Sequence, residues 1–266
     1  MRTGVKVPVN FEVSRSPAEF FVKVSLMKYA VLSDIHGNLE ALNTVLAHAK
    51  ENGCEKYVCG GDVVGYNANP SECMAIVREM KMPCVMGNHD EYVGKDMDLS
   101  SFNPVAAEAV LWTRGQLSDE ERKWLCDLRY IRLVDSFSVV HATMDGPRYW
   151  GYVQGKHDAA ASFTYQTTPV CFHGHTHVPL SFTEGLDITG GSYDKVKVER
   201  NKRYFINVGS VGQPRDGDPR AAYVIYDTEG ASIELFRLEY DLEKAQGKIR
   251  AAGLPDRLAD RLAVGK

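Results

Sequence analysis

Nowhere in these 266 residues does an apolar stretch approach the roughly 18 residues that cross a membrane as a helix. There is no run of lysine or arginine, and the formal charge is −4, so charge gives no general case for nucleic-acid binding. The six cysteines, at positions 54, 59, 73, 84, 126 and 171, form no C-x-x-C pair. They read as reduced, mostly buried small hydrophobes. The first thirty residues lack the continuous apolar core and small-residue cleavage site of a secretory signal, which makes the cytoplasm the expected compartment. Internal repeats and low-complexity tracts are absent as well. What remains is a globular composition, 44% hydrophobic and 25% charged.

From Met27 the pattern becomes regular. "KYAVL" (28–32) reads as a strand, and Leu39, Leu42, Val45, Leu46 and Ala49 recur at helical spacing before Gly53 stops the helix. "KYVCG" (56–60) reads as a second strand. A helix is expected from Pro70 to about Met80, with Asn69 and Glu72 as its capping box. "PCVM" (83–86) completes β-α-β-α-β, the signature of a parallel sheet covered by helices. Residues 103–128 repeat the helical signals, with Ser118 and Glu121 as a second box. "FSVVH" and "PVCFH" are strand-like. After 178 alternating segments predict antiparallel strands, with Gly190-Gly191 and Asp216-Gly217 as turns, and a last helix begins near Asp241. The expected division is one domain over 27–252 and a C-terminal tail over 253–266. Residues 1–26 lack periodicity and read either as a loosely attached extension or as sequence upstream of a start at Met27.

Polar residues collect where the strands end. "SDIHGN" follows the first strand, "GGDVVGY" the second and "GNHDEY" the third; His141 ends "SVVH", and "HGHTH" follows "PVCF". In a parallel sheet these ends share one rim, where α/β folds carry ligands. Imidazoles and carboxylates together suit Mn, Fe, Zn, Co or Ni better than Ca or Mg. Asp62, on the middle strand, is the natural carboxylate to bridge two such ions. Each motif alone is weak, since D-x-H and G-D are common by chance; their order along the chain carries the weight. The alternation of His173, His175 and His177 does not itself say whether three, two or none are ligands.

The set "DIHGN … GGDVVGY … GNHD … VVH … GHTH" resembles the calcineurin-like metallophosphoesterase superfamily in its compact prokaryotic branch, over about residues 27–240. The resemblance implies an α/β protein built as a four-layer α/β/β/α sandwich with two facing mixed sheets. It also implies two divalent ions, with Mn the leading choice and Fe, Ni, Co or Zn the alternatives. Asp34, His36 and His177 would hold one ion, Asn88, His141 and His175 the other, and Asp62 both. His173 would hold neither. The implied activity is hydrolysis of phosphomono- or diesters by a metal-bridging hydroxide. His89 would serve as acid or phosphate contact with Asp90 holding its ring, and Asn88, His89 and Arg215 would touch substrate.

The implied partner is a phosphoester; a homo-oligomer is left open, and neither general nucleic-acid binding nor a membrane is expected. The competing reading is a catalytically silent scaffold on the same fold, against which the ligand set stands complete. Two departures from the branch pattern stand out. The isolated histidine lies in "HATMDGP" instead of an H-G pair, and "NVGS" replaces N-P-G-S, where Val208 is expected to loosen the loop because it lacks the fixed backbone of proline.

Overall fold

The structure is a computed structural model and describes residues 27–100 and 102–266. The extension over 1–26 lies outside the described residues. The chain opens with β1 (Lys28–Leu32), α1 (Leu39–Glu51), β2 (Lys56–Cys59) and α2 (Pro70–Glu79). Three helices follow: α3 (Asn88–Gly94), α4 (Pro104–Gln116) and α5 (Asp119–Cys126). Next come β3 (Ile131–Val134), β4 (Phe137–Val140), α6 (Lys156–Tyr165) and β5 (Val170–His173). The remaining strands are β6 (Ser181–Glu184), β7 (Ile188–Gly191), β8 (Lys195–Lys197), β9 (Arg203–Asn207), β10 (Ala221–Asp227) and β11 (Ser232–Leu238). Helices α7 (Leu242–Ala251) and α8 (Asp256–Leu262) end the chain.

Two mixed sheets result, ordered β2-β1-β10-β11-β8 and β3-β4-β5-β9-β6-β7. Alternation along β1 explains how they stack. Tyr29 and Val31 join Phe137, Val139, Phe172, Tyr204 and Ile206 in one apolar layer between the sheets, while Ala30 and Leu32 face Leu42, Val45, Met74 and Val77 of α1 and α2. The Tyr29 and Phe137 rings meet edge to face at 5.0 Å across that layer. Beyond the second sheet, Ala159 and Phe163 of α6 pack on Val140, Cys171 and Phe205. Helices therefore cover both outer faces, giving the expected four layers. Among the described residues no helix is long and apolar enough to cross a membrane.

Several local expectations are corrected. Residues 83–86 make only two isolated bridges, Cys59 with Cys84 and Val85 with Arg129, because the chain turns away after Met86 to start α3. The Asn69 box does not form: the Asn69 amide donates to Glu72 Oε1 at 2.7 Å and accepts from Lys248 Nζ, leaving Pro70 to open α2 without a side-chain cap. The Ser118–Glu121 box does form. Gly190 and Gly191 lie inside β7, paired with Phe182 and Ser181. A Cβ on Gly190 would fall 2.1 Å from the Ser181 carbonyl, so this glycine permits a close strand approach, not a turn. Asp216-Gly217 turns the chain, with Gly217 at φ +86°, but joins strands of different sheets and makes no hairpin. Residues 253–266, set apart above as a tail, carry α8, whose Leu258, Ala259 and Leu262 pack with Ala245 and Ile249 of α7 and Ala106 and Ala109 of α4.

Candidate functional site

Strands β1 and β2 run parallel in one sheet, and β4 and β5 run parallel in the other. Their carboxyl ends meet at one rim, so motif residues from both sheets converge. Asp34, His36, Asp62, His175 and His177 all have positive φ, between 49° and 67°. Non-glycine residues rarely adopt this left-handed conformation, and it persists only where surrounding structure imposes it. Here backbone bonds across the rim do so: Asp34 N–H donates to Gly61 O at 3.0 Å and His36 N–H to Asp62 O at 2.9 Å.

Space, not dihedral freedom, explains two of the motif glycines. A Cβ at Gly174 would lie 2.1 Å from Asp34 Oδ2, and one at Gly87 would lie 2.1 Å from Asp62 Oδ1.

The converging atoms lie close together. His36 Nε2 stands 3.1 Å from His177 Nε2 and 3.5 Å from Asp62 Oδ2, and His177 Nε2 stands 3.1 Å from Asp34 Oδ1. Asp34, His36, Asp62 and His177 can each direct one ligand atom into a space within which all four atoms lie no more than 4.8 Å apart. On the other side of Asp62, His141 Nε2 is 3.3 Å from Asp62 Oδ2 and 3.2 Å from Asn88 Oδ1. The His175 ring lies 5.1 Å from that of His141.

Each imidazole is held by its outer nitrogen. His36 Nδ1 meets Val64 O at 3.0 Å, His141 Nδ1 meets Gly60 O at 2.8 Å, and His177 Nδ1 meets Gln213 O. A ring nitrogen facing a carbonyl carries a proton there, which leaves Nε2 directed at the carboxylates and open to a cation once any proton on it has gone. His175 is turned the other way, with Nε2 2.9 Å from Trp150 O, leaving Nδ1. Carbonyl-pinned imidazoles around buried carboxylates are the donor set a divalent cation requires, so the residues fit a metal.

The electrostatics agree. Asp34 and Asp62 are at most 1% exposed. Burial alone would raise both, but His177 and His141 beside Asp34, and His141, His89 and His36 beside Asp62, hold them below the ordinary carboxylate range. Burial disfavours a charged His141, yet Asp62 and Asp34 overcome it and raise that ring to about 10. Buried negative charge is thus in excess and draws a cation.

Asp90 does not hold the His89 ring, contrary to expectation. Its carboxylate accepts backbone N–H bonds from Asp62 (2.8 Å), Val63 (2.9 Å), Val64 (3.3 Å) and Gly87 (3.1 Å). Sitting in the first turn of α3, it ties the second motif to the third. Burial, reinforced by Asp62, pushes its pKa up to about 7. Asp90→Ala leaves four donors without their acceptor and is expected to cost ~3 kcal/mol or more. That lowers the melting temperature by roughly 6–12 °C in calorimetry; unchanged melting would contradict this role. His89 lies with its ring 4.9 Å from His36 and 4.3 Å from Tyr66, its Nδ1 buried without a partner. Burial pushes its pKa down to about 4.

The remaining candidates divide. His173 ends β5 and stacks on Phe205 at 4.2 Å, with its Nε2 buried and unpartnered. Arg215 Nη2 donates to Gln213 Oε1 at 2.9 Å, and its guanidinium lies 5.5 Å from the Tyr66 ring. Val208 does not loosen its loop: its N–H, which proline would lack, donates to His173 O at 2.9 Å, and Gly209 N–H donates to Asn207 Oδ1. Of the aromatics at 149–152, Trp150 supplies the carbonyl that holds His175, Tyr152 lies 4.5 Å from the His175 ring, and Tyr149 is 89% exposed. The carbonyls of Gly60, Val64, Trp150 and Gln213 are invisible to motif reading, because every residue has one. A roomier hollow of about 480 Å³, lined by Tyr29, Lys56 and Arg132, contains none of the motif residues.

Known proteins match this arrangement. The model of the calcineurin-like phosphoesterase superfamily domain matches residues 27–231. An uncharacterized protein of Methanocaldococcus jannaschii is 40% identical over 243 residues, 89% of this chain and 98% of that one. Among solved structures, a metallophosphoesterase from Sphaerobacter thermophilus is similar at TM-score 0.80 and 38% identity, covering 91% of this chain and 100% of that chain. A hypothetical protein from Pyrococcus horikoshii OT3 shares the fold at TM-score 0.75 and 19% identity, with 90% and 98% of the two chains covered. With all five motif blocks gathered on one rim of a four-layer sandwich, the chain belongs to the calcineurin-like phosphoesterase superfamily.

Proposed function

We propose that this protein is a hydrolase of phosphoesters that works with two divalent cations, Mn being the first choice. The observation that carries this reading is the set of imidazoles pinned by backbone carbonyls around Asp34 and Asp62. Asp34, His36 and His177 would hold one cation, Asn88, His141 and His175 the second, and Asp62, whose Oδ2 is within 3.5 Å of both His36 and His141, would be shared. When bound, such cations act as Lewis acids toward phosphoryl oxygens and lower the pKa of water.

The chain's own residues do the rest. Asp62 Oδ1 accepts the His89 N–H at 2.8 Å, which couples the shared carboxylate to the start of α3. His89 stands at the edge of the centre with a buried nitrogen still unpaired, and we assign it contact with the phosphate or the leaving oxygen. Asp90 is a positioning residue that fixes the backbone of 62–64 and 87. The six free cysteines, five of them buried, support a reducing compartment and hence the cytoplasm.

The test is turnover of p-nitrophenyl phosphate and bis-p-nitrophenyl phosphate by protein loaded with Mn, Fe, Co, Ni or Zn. Failure on every phosphoester with every metal sinks the proposal. His89→Ala is expected to lower kcat roughly 10²–10⁴-fold while elemental analysis finds the wild-type metal content. Loss of metal in that variant would instead make His89 a ligand.

A further inference from the structure

A cavity of about 250 Å³ lies beside the candidate centre, lined by Tyr66, Asn103, Tyr152, Arg215, Arg257 and Arg261 among others. Its tyrosines connect it to the centre. The Tyr66 ring lies 4.6 Å from His36 and 4.3 Å from His89, and the Tyr152 ring lies 4.5 Å from His175. The cavity is therefore one side chain away from the candidate ligands.

Three guanidinium groups share this small volume. Arg257 and Arg261 stand one turn apart on α8, on the face left free when Leu258, Ala259 and Leu262 pack inward. Like charges four residues apart destabilise a helix. Among the described residues no Asp or Glu forms an ion pair with any of the three, whereas Arg78, Arg122, Arg203, Arg220, Arg237 and Arg250 have acidic partners. Arg129, Arg132, Arg148 and Arg200 also lack one, but here three such guanidinium groups line one cavity. Arg215 Nε is buried without a partner, and Arg261 donates only to the Lys266 backbone oxygen. Arg215 and Arg261 instead share the Tyr66 ring, at 5.5 and 6.0 Å. Burial together with Arg215 pushes the Arg261 guanidinium down to about 10.

We propose that this cavity binds a second phosphate carried on the leaving alcohol, so that the protein prefers phosphoesters bearing at least two phosphates. This deepens the phosphoesterase reading and rests on it. Guanidinium groups pair with phosphate through two parallel hydrogen bonds, and three of them around one pocket match the acceptors of a terminal phosphate. Tyr66 would then stand between the two phosphates, against His36 and His89 on one side and the arginines on the other.

The experiment compares 1,4-butanediol bisphosphate with butyl phosphate on the Mn-loaded full chain, following phosphate release. The expected kcat/KM is at least tenfold higher for the bisphosphate. In Arg257→Ala/Arg261→Ala that ratio is expected to fall at least tenfold, mostly through KM, and Arg257→Lys/Arg261→Lys should restore part of it. Equal rates on the two esters, or a preference that survives the alanine pair, overturns the proposal. As a readout independent of turnover, inorganic pyrophosphate is titrated into metal-free protein by calorimetry. Binding is expected for wild type and at least tenfold weaker binding for the alanine pair; no binding by wild type overturns the anion site. No turnover of either ester with pyrophosphate binding intact overturns the phosphoesterase reading and leaves the anion site standing.

Discussion

Asp62→Asn is expected to remain folded, to lose high-affinity binding of at least one cation, and to turn over phosphoesters roughly 10⁴-fold more slowly. Asp62 is the carboxylate that both halves of the centre face, with Oδ2 3.5 Å from His36 Nε2 and 3.3 Å from His141 Nε2. An amide has the same size but no charge, and it binds divalent cations poorly. The same change has a second consequence. In metal-free protein His141, His89 and His36 hold the buried Asp62 carboxylate well below the ordinary carboxylate range, and removing one partner from a buried set of charges is strongly destabilising. Metal-free Asp62→Asn should therefore melt below metal-free wild type near neutral pH. Calorimetric titration with Mn, kinetics and melting curves check the three parts. A variant that keeps two cations and more than a tenth of the activity would refute the shared-ligand role.

Gly87→Ala is expected to reduce activity at least as drastically as a direct hit on some of the ligands, though it removes no functional group. Its φ of −94° suits any residue, so the backbone conformation itself is not the obstacle. A methyl carbon there would lie 2.1 Å from Asp62 Oδ1 and 2.4 Å from Asp62 N, closer than atoms can approach. Either Asp62 swings away or residues 87–90 retreat, and both moves disturb Asn88, His89 and the Asp90 bonds to Asp62 and Val63. Overpacking of this kind costs ~1–3 kcal/mol. A displacement of about 1 Å among reacting groups costs roughly 10²-fold in rate. Weakened Mn binding together with a lowered melting temperature is the expected result. Wild-type kinetics in this variant would mean that the two loops separate easily, against the buried bonds that join them.

α1 and α5 were legible in the sequence because their signals are local: Leu39, Leu42, Val45, Leu46 and Ala49 recur at helical spacing in α1, and in α5 Ser118 Oγ accepts from Glu121 N–H. α3 was not, because "NHDEYVG" has no apolar period and is held by Asp90 bonds to residues 26 to 28 positions away. α6 escaped for a similar reason, since "KHDAAASFTY" carries no strong apolar face and gains its place by burying Ala159 and Phe163 on the second sheet. Gly190-Gly191 looked like a turn because glycine pairs usually make one; a facing strand 2.1 Å from a would-be Cβ explains them better. Arg257 and Arg261 gave no signal beside Arg215, some forty residues earlier, until α8 folded back onto Tyr66.

By itself the sequence determined the β-α-β opening, the alternation that buries both faces of β1, and the order in which Asp34, His36, Asp62, Asn88, His141, His175 and His177 follow strand-like segments. Hydrophobic period and turn residues are local properties, and they survive in a one-dimensional reading. Only the tertiary structure decided how those residues face one another. It fixed the left-handed backbone at Asp34, His36, Asp62, His175 and His177, and it chose which nitrogen of each imidazole points inward. It also turned Asp90 from a partner of His89 into the clamp between two loops. Those outcomes depend on carbonyls and N–H groups that every residue possesses, so no residue type announces them, and only the packing of two sheets against each other selects which ones meet.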